Sequence, residues 1–161
     1  MVNALGIYLL KMDPRGRIFV NGPMRRYFGL EKGEDSGAYA YVGLPDDPSD
    51  NALFILNDFV ANDIASRTRE EDIANFNTIP KEPSKNPFKD IQDKFRPSEI
   101  KSNRIQFKKY EINKLDLPKN DSRVIIQGAG IRFIVWSVSE FKKRYPAEYD
   151  LFELDEDDDE Q

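Results

Sequence analysis

Apolar residues occur in short runs separated by turn chemistry, a pattern of brief strands and one-faced helices. Residues 5–12 form a first apolar, β-compatible run. Asp13-Pro14-Arg15-Gly16 then reads as a turn, because proline presets φ and glycine admits a positive φ. From Arg17 to Val20 the pattern alternates, with Ile18 and Val20 on one face, and predicts a second strand. Pro23 suits the first turn of a helix; Met24, Tyr27 and Phe28 share its apolar face, and Gly29 ends it. Residues 38–43 predict a third strand, 45–51 a loop and 52–56 a fourth strand. Asn57 or Asp58 can then cap a helix beginning at Phe59, with Phe59, Val60 and Ile64 on its buried side.

Between residues 77 and 103 the pattern breaks. Pro80, Pro83, Pro87 and Pro97 rule out a long helix there. A short helix over 87–95, with Phe88, Ile91 and Phe95 on one face, is the most structure this linker predicts. The first pattern then returns. Residues 104–110 alternate, with Ile105 and Phe107 on one face. Asp121 opens a turn into Val124-Ile125-Ile126, Gly128 and Gly130 make a tight connection, and residues 132–136 form an apolar strand. Ser137 and Glu140 have capping-box spacing for a helix that carries Phe141 and Tyr145 and stops at Pro146. Residues 150–161 lack the apolar content for a core and are expected to be disordered.

The recurrence has a register. An offset of 87 superimposes Arg17 on Arg104, Ile18 on Ile105, Leu30 on Leu117 and Lys32 on Lys119. After a length change, Phe54-Ile55-Leu56 matches Phe133-Ile134-Val135, and Asp58 matches Ser137 ahead of a helix. The order strand–turn–strand–short helix–strand–strand–helix occurs twice, which predicts an internal duplication.

Charge alters the picture only once it is divided. The chain of 161 residues carries a net charge of −5, which taken whole disfavours nucleic acid. The last nine residues hold seven acids and no base, so the rest is slightly basic. Residues 1–32 are net +4, 33–76 net −8 and 77–109 net +5. The two basic segments hold the two matching hairpins. Cysteine and histidine are both absent, which excludes disulfide scaffolds, thiol nucleophiles, Ser-His-Asp chemistry and His- or Cys-based metal sites. The acidic clusters Asp46-Asp47 and Glu70-Glu71-Asp72 have no phosphate loop beside them, so no enzyme, cofactor, metal site or small-molecule substrate is expected. Met1 to Leu10 has no base ahead of its apolar run and is too short to span a bilayer, so no membrane association and a cytoplasmic location are expected.

Two stretches resemble one family. Asp13-Pro14-Arg15-Gly16-Arg17-Ile18 resembles the D-x-K/R-G-R motif of MraZ proteins, and Arg25 falls where that family has an arginine. Leu117 to Trp136, with Lys119, Val124-Ile125-Ile126, Gly128, Gly130, Arg132-Phe133 and Trp136, resembles the family's second signature. The chain departs from the pattern in several places. Asn21-Gly22-Pro23 stands where a proline usually follows the first strand. In the second half Ile100 and Asn103 replace the motif's Asp and Gly, and Ile112 stands where the second arginine is expected. The resemblance implies an α+β protein of two duplicated AbrB-like swapped-hairpin β-α halves forming one pseudo-symmetric, β-barrel-like domain. The halves would span 1–76 and 102–149, with 77–101 as linker. It further implies a nucleoid-associated transcriptional regulator of the division and cell-wall gene cluster, binding direct repeats in double-stranded DNA as a ring-shaped homo-oligomer.

DNA contact requires fixed cationic donors. Arg15 and Arg17 lie across the Pro-Gly turn, Arg25 follows, and Lys101 and Arg104 are counterparts by repeat position; these five are the candidate DNA-binding residues. Arg17 can instead pair with Asp13 and hold the turn, and the two roles are compatible. Lys108-Lys109 reads more simply as a solvated strand edge, and Phe133 and Trp136 as core. The degenerate second motif leaves open an oligomeric protein-interaction member that has lost specific DNA binding.

Overall fold

The computed structural model describes residues 3–65 and 94–159, with the side chains of 153–159 excepted. Eight strands form in chain order: β1 Ile7–Lys11, β2 Arg17–Phe19, β3 Tyr39–Gly43, β4 Ala52–Leu56, β5 Phe95–Glu99, β6 Arg104–Gln106, β7 Arg123–Gly128 and β8 Phe133–Ser137. The helices are α1 Gly22–Phe28, α2 over 58–65, α3 Lys109–Lys114, α4 Val138–Arg144 and α5 Pro146–Asp159. The class is α+β with antiparallel pairing. Six strands form one sheet in the order β1-β7-β8-β4-β3-β5, and β2 and β6 form a separate two-stranded ribbon. β1 and β5 are the open edges of the large sheet, so among the described residues no closed barrel forms, contrary to the barrel-like expectation.

Alternation places the two faces of the large sheet in different cores. Val124, Ile126, Phe133, Val135, Leu53 and Ile55 join Ile18, Val20, Met24, Tyr27, Ile105 and Phe107 in the larger one, beneath the ribbon and α1. Ile125, Trp136 and Ala52 face the other way, against Val138 and Phe141 of α4 and Tyr149 of α5. Phe133 and Trp136 are thus core residues, as the apolar pattern implied. Tyr27 ties the large core together. Its hydroxyl donates to the Ile131 carbonyl at 2.6 Å and accepts from the Asn57 N–H at 3.1 Å, and burial pushes its pKa up to about 12.

Most predicted elements lie where the pattern put them, and the differences have physical causes. Asn57, not Asp58, caps α2: its side chain accepts from the Val60 N–H at 2.8 Å. Phe59 is 60% exposed, and Val60, Ala61 and Ala65 are the buried positions. Residues 104–110 do not form one strand. β6 stops at Gln106, and α3 begins at Lys109. The 77–101 linker contains β5, which pairs with β3 in the register Tyr41↔Pro97 and Gly43↔Phe95. An edge strand tolerates Pro97, and the absent side chain at Gly43 makes room for the Phe95 ring, which a Cβ there would strike. The helix expected over 87–95 lies outside the described residues apart from its end, and Phe95 belongs to β5. The 150–161 tail, expected to be disordered, is helical as far as Asp159, in a helix opened by Pro146.

Candidate nucleic-acid interface

The ribbon follows from six residues. Ile18 faces Ile105 across the two strands, and both are fully buried. Alternation therefore turns their neighbours outward: Arg17 opposite Gln106, and Phe19 opposite Arg104. Arg17 and Arg104, which the sequence offset of 87 superimposes, lie at opposite ends of one solvent-facing surface.

The first turn fixes Arg17. The Asp13 carboxylate accepts the Arg15 N–H at 3.0 Å, the Arg17 N–H at 2.8 Å and the Arg17 Nε at 2.8 Å. Gly16 supplies the positive φ of 78° that closes the turn. Burial pulls the Asp13 pKa up, but these hydrogen bonds and the guanidinium charge outweigh it and hold the carboxyl below its usual range. Arg17 thus takes the turn-holding role through Nε alone. Its Nη groups have no partner among the described residues and remain donors at the surface.

The second turn is built differently. Ser102 and Asn103 take φ values of 52° and 56°, and Lys101 and Arg104 exchange backbone hydrogen bonds across them. This is a two-residue hairpin of primed type, made without glycine. Arg104 donates through Nη1 to the Ser102 carbonyl at 2.8 Å, and its guanidinium lies 5.9 Å from the centre of the Phe19 ring.

The five candidates separate into three groups. Arg17, Lys101 and Arg104 line one groove of about 380 Å³, together with Arg96, Ser98, Glu99 and Gln106. Lys101 is 73% exposed and lies 3.7 Å from Glu99. Arg15 is exposed at the tip of the first turn, and its guanidinium has no partner among the described residues. Arg25 is committed inside the fold. It donates to the Asn103 side chain and to the carbonyls of Glu31 and Glu34, clasping α1 to the second turn.

Arg96 is the residue that sequence reasoning missed, because it lay in the proline-rich stretch. Its guanidinium forms a bidentate pair with Glu111, at 2.7 and 3.2 Å, and also donates to the Gln106 carbonyl. Glu111 is 1% exposed. Arg96 therefore fixes β5 against β6 and α3, forming the floor of the groove. Among the described residues no group of three or more Asp or Glu side chains is placed to hold a metal ion, and no helix is long and apolar enough to cross a membrane. No protein-family model matches the chain, and no curated protein matches it.

Proposed function

We propose that this chain binds double-stranded DNA through the solvent face of the β2–β6 ribbon, as a divergent transcriptional regulator of the MraZ kind. One observation carries the reading: Arg17 and Arg104 share the exposed face of a two-stranded ribbon and flank a groove that also presents Lys101. A two-stranded ribbon has the width the major groove admits, and arginines are the commonest readers of its guanine edges. Lys101 and Arg15 extend the cationic surface along which a phosphate backbone would lie.

The duplicated swapped-hairpin reading supports this function and draws on the strand order. The order β1-β7-β8-β4-β3-β5 is unchanged when β1–β4 are exchanged with β5–β8, and the ribbon takes one strand from each half. Each sheet edge is a strand of one half paired with a strand of the other. The two arginines are then equivalents under this exchange, which suits a nearly symmetric DNA step. A single protomer has few cations to offer. A ring-shaped homo-oligomer engaging direct repeats raises the affinity by avidity, without new contacts. Such a protein acts at the cytoplasmic nucleoid, and the resemblance points to the division and cell-wall genes as its target. The second reading, an interaction protein without specific DNA binding, draws on Arg25, whose guanidinium is occupied within the fold.

A salt titration separates the two. DNA binding predicts a steep fall of the association constant with salt, and a much weaker response for Arg17→Ala combined with Arg104→Ala. A flat response with the oligomer intact would favour the interaction protein.

A further inference from the structure

We propose that Phe19 is a base-reading residue that contacts the 5-methyl group of thymine; this rests on the DNA-binding reading above. Ile18 and Val20, its neighbours in sequence, are fully buried, while Phe19 keeps 48% of its surface exposed. A lone exposed apolar residue means little by itself. The informative feature is its position on the outward face of the ribbon: opposite Arg104 in the register and two residues along the strand from Arg17. The Arg104 guanidinium lies over the ring and limits the ways it can turn.

The chemistry narrows the ligand. The negative face of an aromatic ring does not attract phosphate. The apolar feature of a base-pair edge in the major groove is the thymine methyl, and the minor groove offers none. A ring that shares the outward face of the ribbon with two cations gripping the backbone or guanine edges is directed at the floor of the groove. On β6 the corresponding outward position is Gln106, whose amide nitrogen is spent on the carbonyls of Arg15 and Phe107 at 2.6 and 2.8 Å. The ribbon is therefore apolar at one end and polar at the other, so its readout has a direction even where its arginines are equivalent.

The test uses the full chain and a pool of randomised duplexes about two helical turns long, enriched for binding. Bound duplexes are resynthesised with deoxyuridine in place of thymidine, which deletes only the methyl. The wild-type protein should bind the uracil duplexes about fourfold more weakly per contacted methyl. Phe19→Ala should bind both duplexes equally, at the wild-type level for uracil, and Phe19→Leu should keep part of the preference. The Phe19 side chain is half exposed, so a thermal melt should report an intact fold in both variants. Equal wild-type affinity for thymine and uracil duplexes, with a steep salt dependence retained, overturns the role of Phe19 and leaves the DNA reading standing. Absence of salt-dependent binding to any duplex overturns both.

Discussion

The first and second turns feed the same ribbon with different geometry and different chemistry. The first turn is closed by an acid, with Asp13 gathering two N–H groups and one guanidinium. The second is closed by backbone conformation, with Ser102 and Asn103 in the left-handed region. The helices that follow are capped in opposite senses too. At α1 the Asn21 side chain accepts from the Met24 N–H at 3.1 Å. At α3 the Glu111 carboxylate reaches back to the Lys108 N–H at 2.7 Å, and the same carboxylate holds Arg96. Each helix thus uses one of the two halves of a capping box, α1 satisfying the N–H of its third residue and α3 the N–H of its cap residue. Geometry is shared between the two strands of the ribbon, and the turns behind them are free to differ. The consequence for the site is unequal arginines: Arg17 is fixed by a carboxylate, and Arg104 by a carbonyl and an aromatic ring.

Removing the Glu111 carboxylate should do the greatest damage, because it serves the cap and the ion pair together. Glu111→Ala leaves the mostly buried Arg96 guanidinium without its counter-ion, and stability should fall by about 3 kcal/mol in urea denaturation. Replacing both partners, as Arg96→Met with Glu111→Leu, should recover most of that loss. If the double variant is as unstable as the single one, the pair is not what secures this corner. At the start of α1, Asn21→Ala removes only a cap, and about 1 kcal/mol is expected from the same measurement. Equal losses at the two positions would remove the contrast between the caps.

The fold was legible wherever local chemistry and tertiary context agreed. The fourth strand was bounded correctly because Pro45 to Asn51 read as a loop and Asn57 or Asp58 as a cap. The first helix was legible from Pro23 and Gly29, and Gly29 does take a left-handed φ of 76°. β5 was not legible. Its Pro97 belongs with three other prolines in a stretch that reads as a linker, and only pairing with β3 makes it a strand. α3 was missed because Arg104 to Tyr110 continues to alternate on paper. The strand ends at Gln106, and the Glu111 carboxylate meets the Lys108 N–H to start a helix. At the site, the repeat register brought out Arg17 and Arg104 together, because equal positions in the two hairpins imply equal positions on the ribbon. Arg25 was singled out by the resemblance alone, and a resemblance does not show that nearby carbonyls consume a guanidinium. Arg96 and Phe19 carried no motif, and only their neighbours across the ribbon and groove give them meaning.

A smaller effect should come from relaxing the second turn. Ser102 pays for a left-handed conformation that suits glycine, whereas asparagine at 103 tolerates it. The Ser102 contact with Ser36 runs through its backbone N–H, which glycine keeps. Ser102→Gly should therefore raise stability by about 0.5 kcal/mol, read as a higher melting temperature. The reverse change in the first turn, Gly16→Ser, should act in the opposite direction, since Gly16 holds a positive φ with the Ile112 side chain close by. A gain at both positions would mean the two turns are not under the same backbone constraint.

The smallest effect is also the most selective, since only the first turn depends on an ionised carboxylate. The Asp13 carboxyl is held below its ordinary value of 3.8, so its stabilising contribution is present in full above that pH and is lost as pH falls through the lowered folded-state value. In the second turn Ile100 and Asn103 stand where the offset of 87 places Asp13 and Gly16, and neither side chain carries a carboxylate; the nearby Lys101–Glu99 pair is exposed. Asp13→Asn keeps an acceptor but loses the charge. The stability gap between wild type and this variant should therefore stay level from about pH 6 to about pH 5 and close at more acid values. Asp121 has a similarly lowered carboxyl, first through the Arg123 guanidinium, and is unchanged in both proteins, so its own acid response cancels in the comparison. A gap that stays constant down to strongly acid pH would mean that the Asp13 carboxylate fixes the turn by shape alone. The orientation of Arg17 would then owe nothing to the charge that distinguishes the first hairpin from the second.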